Sequence, residues 1–580
     1  MTGRHARSVA ITLAAVLVSA CGSASITGSP SPAAGTNLRG AGGELKILYW
    51  QAPTVLNPHQ AAGTKDSDAS RLVIEPLASW GPDGRPVANG LAADIPTVAN
   101  GGVSADFTSV TWKLRAGLKW SDGSAVTADD VAFTFSYVAD PTSTATTADN
   151  TLGVKSVVAA GPTTVVVTYA QPNPNFYQWG VGTGNGILQQ AQFGASRGAK
   201  AKDAPGNLKP IGTGPYQVVE FRPGDVVRYA LNENFRDPAK PYFKTVTLKG
   251  GGDATTSARA VFQTGDVDYA WNLQIQSDLL GPMIASSTKA KMLTAYSSST
   301  ERIVINFADP DPRLGDLRSD PSTKHPFFSD PVVRKALAMA TDRRVVARQL
   351  YGDGVYGKPG CNIVTGVPAY ESTATASFCD TFDVAAAAKL LDDGGWKLGP
   401  DGVRAKNGVR LSGIFQTTVN DVRQKTQEIL KATWAKAGFR FELKAVPAST
   451  FFTSSSPDGA SHFWADLEMF TNLSAPDPTS YLAAYTSGQA TSKANNWNSP
   501  NYARYQSPQY DAVIDQLRRE TDPAKRASLI KQANDILILD IVVIPIVWRS
   551  QITSGVSTAL KGFVASGWDS EMWDIADWSK

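Results

Sequence analysis

The chain has 580 residues, of which 42% are hydrophobic and 18% are charged, and its formal net charge is +3 at pH 7. The length allows roughly two to four domains, and the 14 Trp, 17 Tyr and 22 Phe indicate large cores rather than disorder. The near-balance of charge, with no run of like charges after the N-terminal segment, argues against a nucleic-acid partner.

The first 20 residues have the features of an export signal. Arginines precede an apolar run, Val9–Ala20, which has about a dozen residues and is well short of the roughly 20 that a membrane-spanning helix needs. The run ends in Val18–Cys21, which is typical of a lipobox, where cleavage leaves an acylated cysteine as the new N-terminus. We predict a lipoprotein signal peptide over residues 1–20 and a lipid anchor on Cys21. The alternative is a plain signal peptide that ends near a cysteine.

Residues 21–43 are rich in Gly, Ser, Ala, Thr and Pro, which predicts a flexible linker because such a segment buries too little apolar surface to become ordered. No later stretch reaches the length of about 18 apolar residues that indicates a membrane span. The lipid is therefore the expected attachment to the membrane.

Cysteines Cys361 and Cys379 remain after Cys21 is assigned to the lipid. An exported protein folds in an oxidising compartment, so a disulfide is predicted, closing a loop of roughly 17 residues. A metal pair is the alternative, but the histidines that follow the signal are scattered along the chain: His59, His325 and His462.

In chain order, the fold is predicted to open with a strand at Glu44–Trp50. Arg71–Trp80 is predicted to be partly helical. Val110–Leu114 alternates as a strand and is expected to continue through Leu118–Trp120. Thr127 is a good N-cap for the next helix, because two aspartates follow it in the first turn.

The rest of the chain mixes α/β units with meandering strands, which indicates several domains in one chain. Further strands are predicted at Val154–Val158, Thr163–Ala170, Gln217–Glu220, Asp225–Asn232, Thr245–Lys249, Asp268–Trp271, Ile303–Phe307, Leu411–Thr417, Phe439–Val446 and Ile541–Trp548. Further helices are predicted at Thr255–Gln263, Asp330–Thr341, Arg343–Tyr351, Val384–Asp392, Arg423–Ala437, Asp511–Arg519 and Ala524–Leu537.

Motifs in a fixed order carry a family resemblance. They are Trp112–Gly123 followed by Val126–Val131, Gly212–Tyr216 with Asn232–Phe235, Gly265–Tyr269, Asn306–Phe307 with Val333–Leu337 and Thr341–Arg343, and Asp477–Pro478 with Val543–Pro545. Together they resemble the extracytoplasmic solute-binding proteins of dipeptide, oligopeptide and nickel importers (bacterial solute-binding protein family 5). The resemblance runs from about Glu44 to near the end of the chain.

The resemblance implies an α/β, two-lobed periplasmic-binding-protein-like fold (type II, large cluster C form) with discontinuous domains and a hinge-closed cleft. Lobe 1 is expected at residues 44–300, with 546–580 returning to it, and lobe 2 at 301–545. The implied function is that of a monomeric lipoprotein on the outer face of the cytoplasmic membrane. It would deliver a peptide or peptide-like solute to ABC permease subunits with a cytoplasmic ATPase, without a cofactor.

One position departs from the family pattern. Peptide-binding members are expected to carry an aspartate that pairs with the α-ammonium group of the peptide, and Ser474 stands where it would lie. Because a buried ammonium needs a counter-ion, this position does not support ordinary peptide binding. The nearest acid, Asp477, is interpreted as a turn or helix-cap residue. An oligosaccharide, an opine or a metal chelate therefore remain alternative ligands, although no histidine near the cleft favours the chelate.

Tryptophans beside amides suit flat polar ligands, because an aromatic platform is combined with hydrogen-bonding groups. For each tryptophan, a core position is the alternative. The sequence contains no G-x-S-x-G, H-E-x-x-H or Cys–His motif, so we expect a binder, with a secreted hydrolase such as a glycosidase as the rival class. The predicted ligand-binding residues are Trp50, Gln51, Trp179, Trp271, Asn272, Asn472, Ser474, Asn496 and Trp497.

Overall fold

The computed structural model describes residues 38–352 and 354–580. The predicted signal peptide, Cys21 and most of the predicted linker lie outside the described residues. Its strands are β1 (Glu44–Tyr49), β2 (Ser79–Trp80), β3 (Pro86–Val87), β4 (Ser109–Lys113), β5 (Val154–Gly161), β6 (Thr164–Tyr169), β7 (Tyr216–Arg222), β8 (Val226–Leu231), β9 (Thr245–Gly250), β10 (Tyr269–Trp271), β11 (Ala290–Ile305), β12 (Gly357–Pro359), β13 (Lys397–Leu398), β14 (Arg404–Lys406), β15 (Val409–Arg410), β16 (Ser412–Thr418), β17 (Arg440–Val446), β18 (Leu467–Asn472) and β19 (Val543–Ser557).

The helices include long amphipathic ones and short single turns. They are α1 (Thr64–Arg71), α2 (Ala128–Ala139), α3 (Gln190–Phe193), α4 (Ala254–Arg259), α5 (Ser277–Ala285), α6 (Pro331–Met339), α7 (Arg343–Leu350), α8 (Ala376–Asp380), α9 (Val384–Asp393), α10 (Asp421–Lys436), α11 (Ala448–Phe451), α12 (Thr479–Ala483), α13 (Pro508–Leu517) and α14 (Pro523–Leu539).

One large sheet runs through most of the molecule. Its strand order is β17-β16-β18-β11-β19-β10-β1-β9-β8-β7, with β12 paired to β19. On one side β1 is parallel to β9 and β10, and on the other side β16 is parallel to β17 and β18. The carboxyl ends of parallel strands are where α/β sheets place ligands, so each side of the sheet offers such an edge.

The strands β11 and β19 join the two sides. They have 16 and 15 residues and pair antiparallel with register shifts between Ala295 and Arg302. One apolar core gathers residues from Leu45 to Trp271 together with Val556–Trp578. Two further cores gather residues between Ile303 and Val547. The exact lobe boundaries given above stay a prediction.

The motif that begins α2 has a structural role. Thr127 and Asp130 form a reciprocal capping box at the start of α2, as the N-cap assignment predicted. Asp130 also accepts hydrogen bonds from the indole of Trp120 at 3.4 Å and from the backbone of Gln190 at 2.9 Å. One carboxylate thus ties a turn, a helix and a distant loop together, which explains why these residue types occur at this spacing.

Some predicted elements were wrong. The helix near Arg71 ends at that residue instead of beginning there, and the following apolar run to Leu77 is buried without regular structure. Leu118–Trp120 contributes only an isolated bridge. The strand predicted at Ile303 begins at Ala290, because the polar run at 297–300 resembles a loop in sequence but is buried within the strand.

Candidate functional site

A cleft of about 1080 Å³ lies where the carboxyl ends of the parallel strands meet. Gln51 and Asn272 follow β1 and β10 on one side, and Asn420 follows β16 on the other. Arg549, on β19, lies in the lining between them. The topology therefore brings together residues that are hundreds of positions apart in the chain.

Arg423, in the lining of the cleft, forms a buried ion pair with Glu301, which lies behind the lining. Glu301, on β11, accepts hydrogen bonds from Nε of Arg423 at 2.8 Å and from Nη2 at 3.2 Å. The hydroxyl of Thr471 donates to the same carboxylate. Burial acts to raise the pKa of Glu301, but the charge and hydrogen bonds of Arg423 outweigh it, so this pKa is lower than usual. Glu301 is therefore ionised, and its charge is matched by Arg423.

Two further carboxylates lie in the cleft lining that also contains the ends of β1 and β10. Asp68 accepts hydrogen bonds from Tyr49 at 3.1 Å and from the hydroxyl of Ser570 at 2.6 Å. Glu571 accepts from the hydroxyl of Ser554 at 2.6 Å and from Tyr269. Both acids line the cleft. Burial raises the pKa of Asp68 to about 6; burial and the nearby charge of Asp68 raise the pKa of Glu571 to about 8.

Four of the predicted binding residues form one aromatic and amide surface. Trp50, Gln51, Trp271 and Asn272 all line the cleft. The ring of Trp271 stacks on Tyr49 with centroids 4.7 Å apart, and the indole of Trp50 donates to the backbone oxygen of Asn272 at 2.8 Å. Asn272 has a left-handed backbone, with φ of 50°, a conformation that asparagine tolerates better than most residues. This turn directs its amide toward Arg549.

On the opposite wall, Asn472 and Trp497 also line the cleft. The indole of Trp497 stacks on His462, with centroids 4.1 Å apart and an angle of 27° between the rings. The stacked pair holds one aromatic face beside the open space.

The other three predicted residues do not line the cleft. Trp179 is completely buried in the core and packs edge-on against Phe135 at 5.5 Å. Ser474 is buried where its backbone exchanges hydrogen bonds of 2.6 and 2.8 Å with the hydroxyl of Ser298. Asn496 is exposed and has the left-handed conformation at the end of a short turn. Their placement gives them structural roles, and we do not include them in the proposed site.

The role predicted for Asp477 is confirmed. Its carboxylate accepts from the backbone of Thr479 at 2.9 Å, which closes a turn, and pairs with Arg526 at 2.5 Å. It does not line the cleft, so it does not replace the aspartate missing at Ser474.

The predicted disulfide is not present in the structure. Cys361 and Cys379 are free thiols, with Sγ of Cys379 at 3.5 Å from the backbone oxygen of Cys361. Within residues 38–352 and 354–580, no cluster of three or more His, Cys, Asp or Glu is arranged to hold a metal ion. The helices of the same residues include none that is both long and apolar enough to cross a membrane.

The sequence analysis did not identify the charged residues that lie in or directly behind the cleft lining. They are Glu301, Arg423 and Arg549, which lie in or beside elements that were predicted from their apolar residues. A signal was available, because a charged residue inside a buried strand is unusual unless it is paired or functional. Glu301 on β11 and Arg549 on β19 both meet that description.

The fold and the cleft define a binding protein of the periplasmic type, and comparison with known proteins identifies the family. Residues 87–493 match the bacterial extracellular solute-binding proteins, family 5, middle part. Protein XP55 of Streptomyces lividans is 26% identical over 541 residues, covering 93% of this chain and 90% of that protein. Oligopeptide-binding protein AppA of Bacillus subtilis (strain 168) is 27% identical over 455 residues, or 76% of each chain.

Solved structures agree on the fold. AppA from Bacillus subtilis in complex with a nonapeptide superposes with a TM-score of 0.78 at 20% identity, covering 93% of this chain and 98% of that one. The binding protein AgaA in complex with agropinic acid, from A. tumefaciens R10, gives a TM-score of 0.73 at 20% identity, covering 92% and 98%. At this identity the likeness concerns the fold alone.

The family match spans more than half of the chain, so the chain belongs to the bacterial extracellular solute-binding proteins of family 5. The expected fold class is confirmed. The protein is a solute-binding component of the ABC-importer type that acts outside the cytoplasm, and not an enzyme. The rival interpretation as a secreted hydrolase is therefore wrong.

The raised pKa of Glu571 predicts a pH dependence of stability. The folded side chain keeps its proton up to about pH 8, whereas the unfolded one loses it near 4.5. The folded state binds more protons between these values, so this group makes stability fall as pH rises. We expect Glu571→Gln to flatten the pH profile of the unfolding free energy by at least about 1 kcal/mol between about pH 5 and pH 8.

Denaturant unfolding at a series of pH values checks this expectation. The control is Glu428→Gln, since the side chain of Glu428 is 57% exposed. Parallel profiles for Glu571→Gln and the wild type would show that the buried acid carries no such linkage.

Proposed function

We propose that this protein is the lipid-anchored substrate-binding component of an ABC importer, which captures a peptide or peptide-like solute in the cleft and delivers it to a permease. The anchor is the acylated Cys21, and the site of action is the outer face of the cytoplasmic membrane. The protein acts as a monomer toward a permease with a cytoplasmic ATPase.

The lining of the cleft is the observation that carries this proposal. Small-molecule sites occupy about 300–1,000 Å³, and the cleft, at about 1080 Å³, lies just above that range. Its tryptophans are placed beside the amides of Gln51, Asn272 and Asn472. This combination suits a peptide ligand, whose backbone alternates flat apolar parts with hydrogen-bonding groups. An extended solute of several units fits this combination.

The strands β11 and β19, which join the two sides of the large sheet, support a hinge mechanism. The register shifts in β11 and β19 fall between the cores of the two sides, and bulges are places where strands bend. A bound solute that contacts both walls would favour the closed arrangement over the open one. The lobe boundaries at residues 300 and 545 belong to this proposal.

The ligand class has one supported alternative. AgaA, which has the same fold, was solved with agropinic acid, and the aspartate expected for a peptide ammonium is replaced by the buried Ser474. An opine or a similar conjugate of an amino acid is therefore the second candidate.

Binding without turnover is the expected behaviour of the purified protein. We expect a peptide pool to yield bound species in native mass spectrometry, and we expect Trp497→Ala to weaken binding about tenfold, because a stacking face is lost. The neighbouring, exposed Asn496 supplies the control, since Asn496→Gly keeps the left-handed backbone of the turn and leaves the residues of the cleft lining in place. Product formation, or equal binding by the two variants, would contradict the proposal.

The lipid anchor is tested separately. We expect Cys21→Ala to move the protein from the membrane fraction to the soluble fraction, because acylation at Cys21 is the proposed attachment. Ser19→Ala keeps a small residue before the cysteine and serves as the control. Retention of the Cys21 variant in washed membranes would refute the anchor.

The pairing of Cys361 with Cys379 remains a proposal for the exported protein. A covalent bond across this loop would stabilise the fold by about 3 kcal/mol in the loop-entropy description. We expect thiol counting on the unreduced exported protein to find neither thiol free. Two titratable thiols would show that the pair stays reduced.

A further inference from the structure

Arg549 is a buried cation that lines the binding cleft. It lies on β19, its residue is only 5% exposed, and it borders the open space beside Asn272 and Thr471. Burying a charge is costly unless it is compensated. The groups that surround the guanidinium therefore decide whether its charge is already matched.

The hydrogen-bond partners of Arg549 are neutral. Nη1 donates to the hydroxyl of Thr471 at 3.3 Å, Nη2 to the side-chain oxygen of Asn272 at 3.2 Å, and Nε to the backbone of Ser550 at 3.2 Å. The amide of Gln274, turned so that its oxygen faces the guanidinium, lies 2.8 Å from Nη2. These contacts engage most of the five N–H groups, but a neutral oxygen does not cancel a charge.

The nearby carboxylates do not supply the missing charge. Among the described residues, no carboxylate lies within 4.0 Å of Arg549. Glu301 is bound by Arg423 on both oxygens, so these two groups cancel each other. The pKa of Glu571 is raised to about 8, which leaves this side chain largely protonated at neutral pH. Asp68 also lines the cleft and, with a pKa of about 6, is ionised at neutral pH, but it is hydrogen-bonded to Tyr49 and Ser570 and not to Arg549. Arg549 is therefore left without a carboxylate partner of its own.

The contacts of Arg549 also bridge the molecule. Asn272 follows β10 on the lobe 1 side, whereas Thr471 lies in β18 on the lobe 2 side. An anionic group that meets the guanidinium would therefore lie against polar side chains from both walls. Arginine presents a planar fork that matches a carboxylate with two parallel hydrogen bonds, and the amides around it can turn to admit such a group.

We propose that Arg549 binds a carboxylate of the solute, so that the cleft selects free-acid peptides or other carboxylated conjugates of amino acids. This inference rests on the proposed function, because it names the chemical class that the cleft accepts. The tryptophans Trp50 and Trp271 would then contact the part of the solute next to the carboxylate.

The test compares each solute with its neutral counterpart. Peptides that bind the wild type are measured as free acids and as C-terminal amides, and opine-type conjugates are measured as acids and as methyl esters. We expect the wild type to prefer the acid at least tenfold. We expect Arg549→Gln to lose that preference mainly through weaker binding of the acid, while Arg549→Lys keeps part of it.

Arg343→Gln is the matched control. Arg343 is also buried, at 3% exposure, and it donates to backbone oxygens, but it does not line the cleft. The control can lower stability without changing the preference for the acid. If Arg549→Gln does not fold, the acid-to-amide ratios of the wild type and Arg549→Lys decide the question.

The outcomes separate this inference from the proposed function. Equal binding of acid and amide by the wild type, or an unchanged preference in Arg549→Gln, would overturn the role of Arg549 while peptide binding stands. If no peptide binds but an opine-type acid binds better than its ester, the peptide proposal fails and the carboxylate site is supported. If no acid of either kind is preferred, the carboxylate site is refuted.

Discussion

The protein depends on two long strands that belong to both sides of the molecule. The strands β11 and β19 pair regularly with each other at both ends. Between these ends the pairing is irregular, and the register shifts around Tyr296 and Thr300. Their backbone is buried there, so its polar groups need partners inside the protein. The indole of Trp548 donates to the backbone oxygen of Ser297 at 2.8 Å, and Ser298 bonds to the backbone of Ser474.

The irregular segment of β11 also fixes the position of Ser474. In the family pattern, an acid is expected there to meet the ammonium group of a peptide. Here the segment is instead fastened to β11 through Ser298, and Ser474 is buried. Three buried charges lie at or behind the cleft lining near these two strands: Glu301 on β11, Arg549 on β19 and Arg423 at the start of α10. The proposed carboxylate site at Arg549 thus lies beside the proposed hinge.

Much of the fold could be predicted from the sequence, since local chemistry agrees with the tertiary structure. Thr127 caps α2 as expected, Gly265 ends the helical segment after α4 with a left-handed φ of 72°, and Asp330 with Pro331 begins α6. In each case a turn or cap residue stands next to a periodic apolar pattern. Where the local signal was polar but the segment was buried, as at 297–300, the prediction failed.

The site was only partly predictable for the same reason. A tryptophan beside an amide is consistent with both a cleft wall and a core, and only the fold separates Trp271, which lines the cleft, from Trp179, which does not. The charges were harder still, because the significance of Arg549 depends on which carboxylates lie near it. Glu301 is 248 positions away in sequence (549 minus 301), and its bond to Arg423 is a property of the folded chain alone.

The distribution of charge in the cleft finally suggests why an empty and a filled cleft would differ in shape. A buried guanidinium without a counter-ion makes closure around it costly, because closure removes the water that otherwise solvates the charge. A solute that brings a carboxylate removes this cost and touches Asn272 and Thr471 on the two sides at once. The same group would then provide both recognition and the free-energy difference that favours the closed state. A neutral solute of equal size would gain the aromatic contacts but would leave Arg549 uncompensated, so discrimination and closure would have a single physical origin.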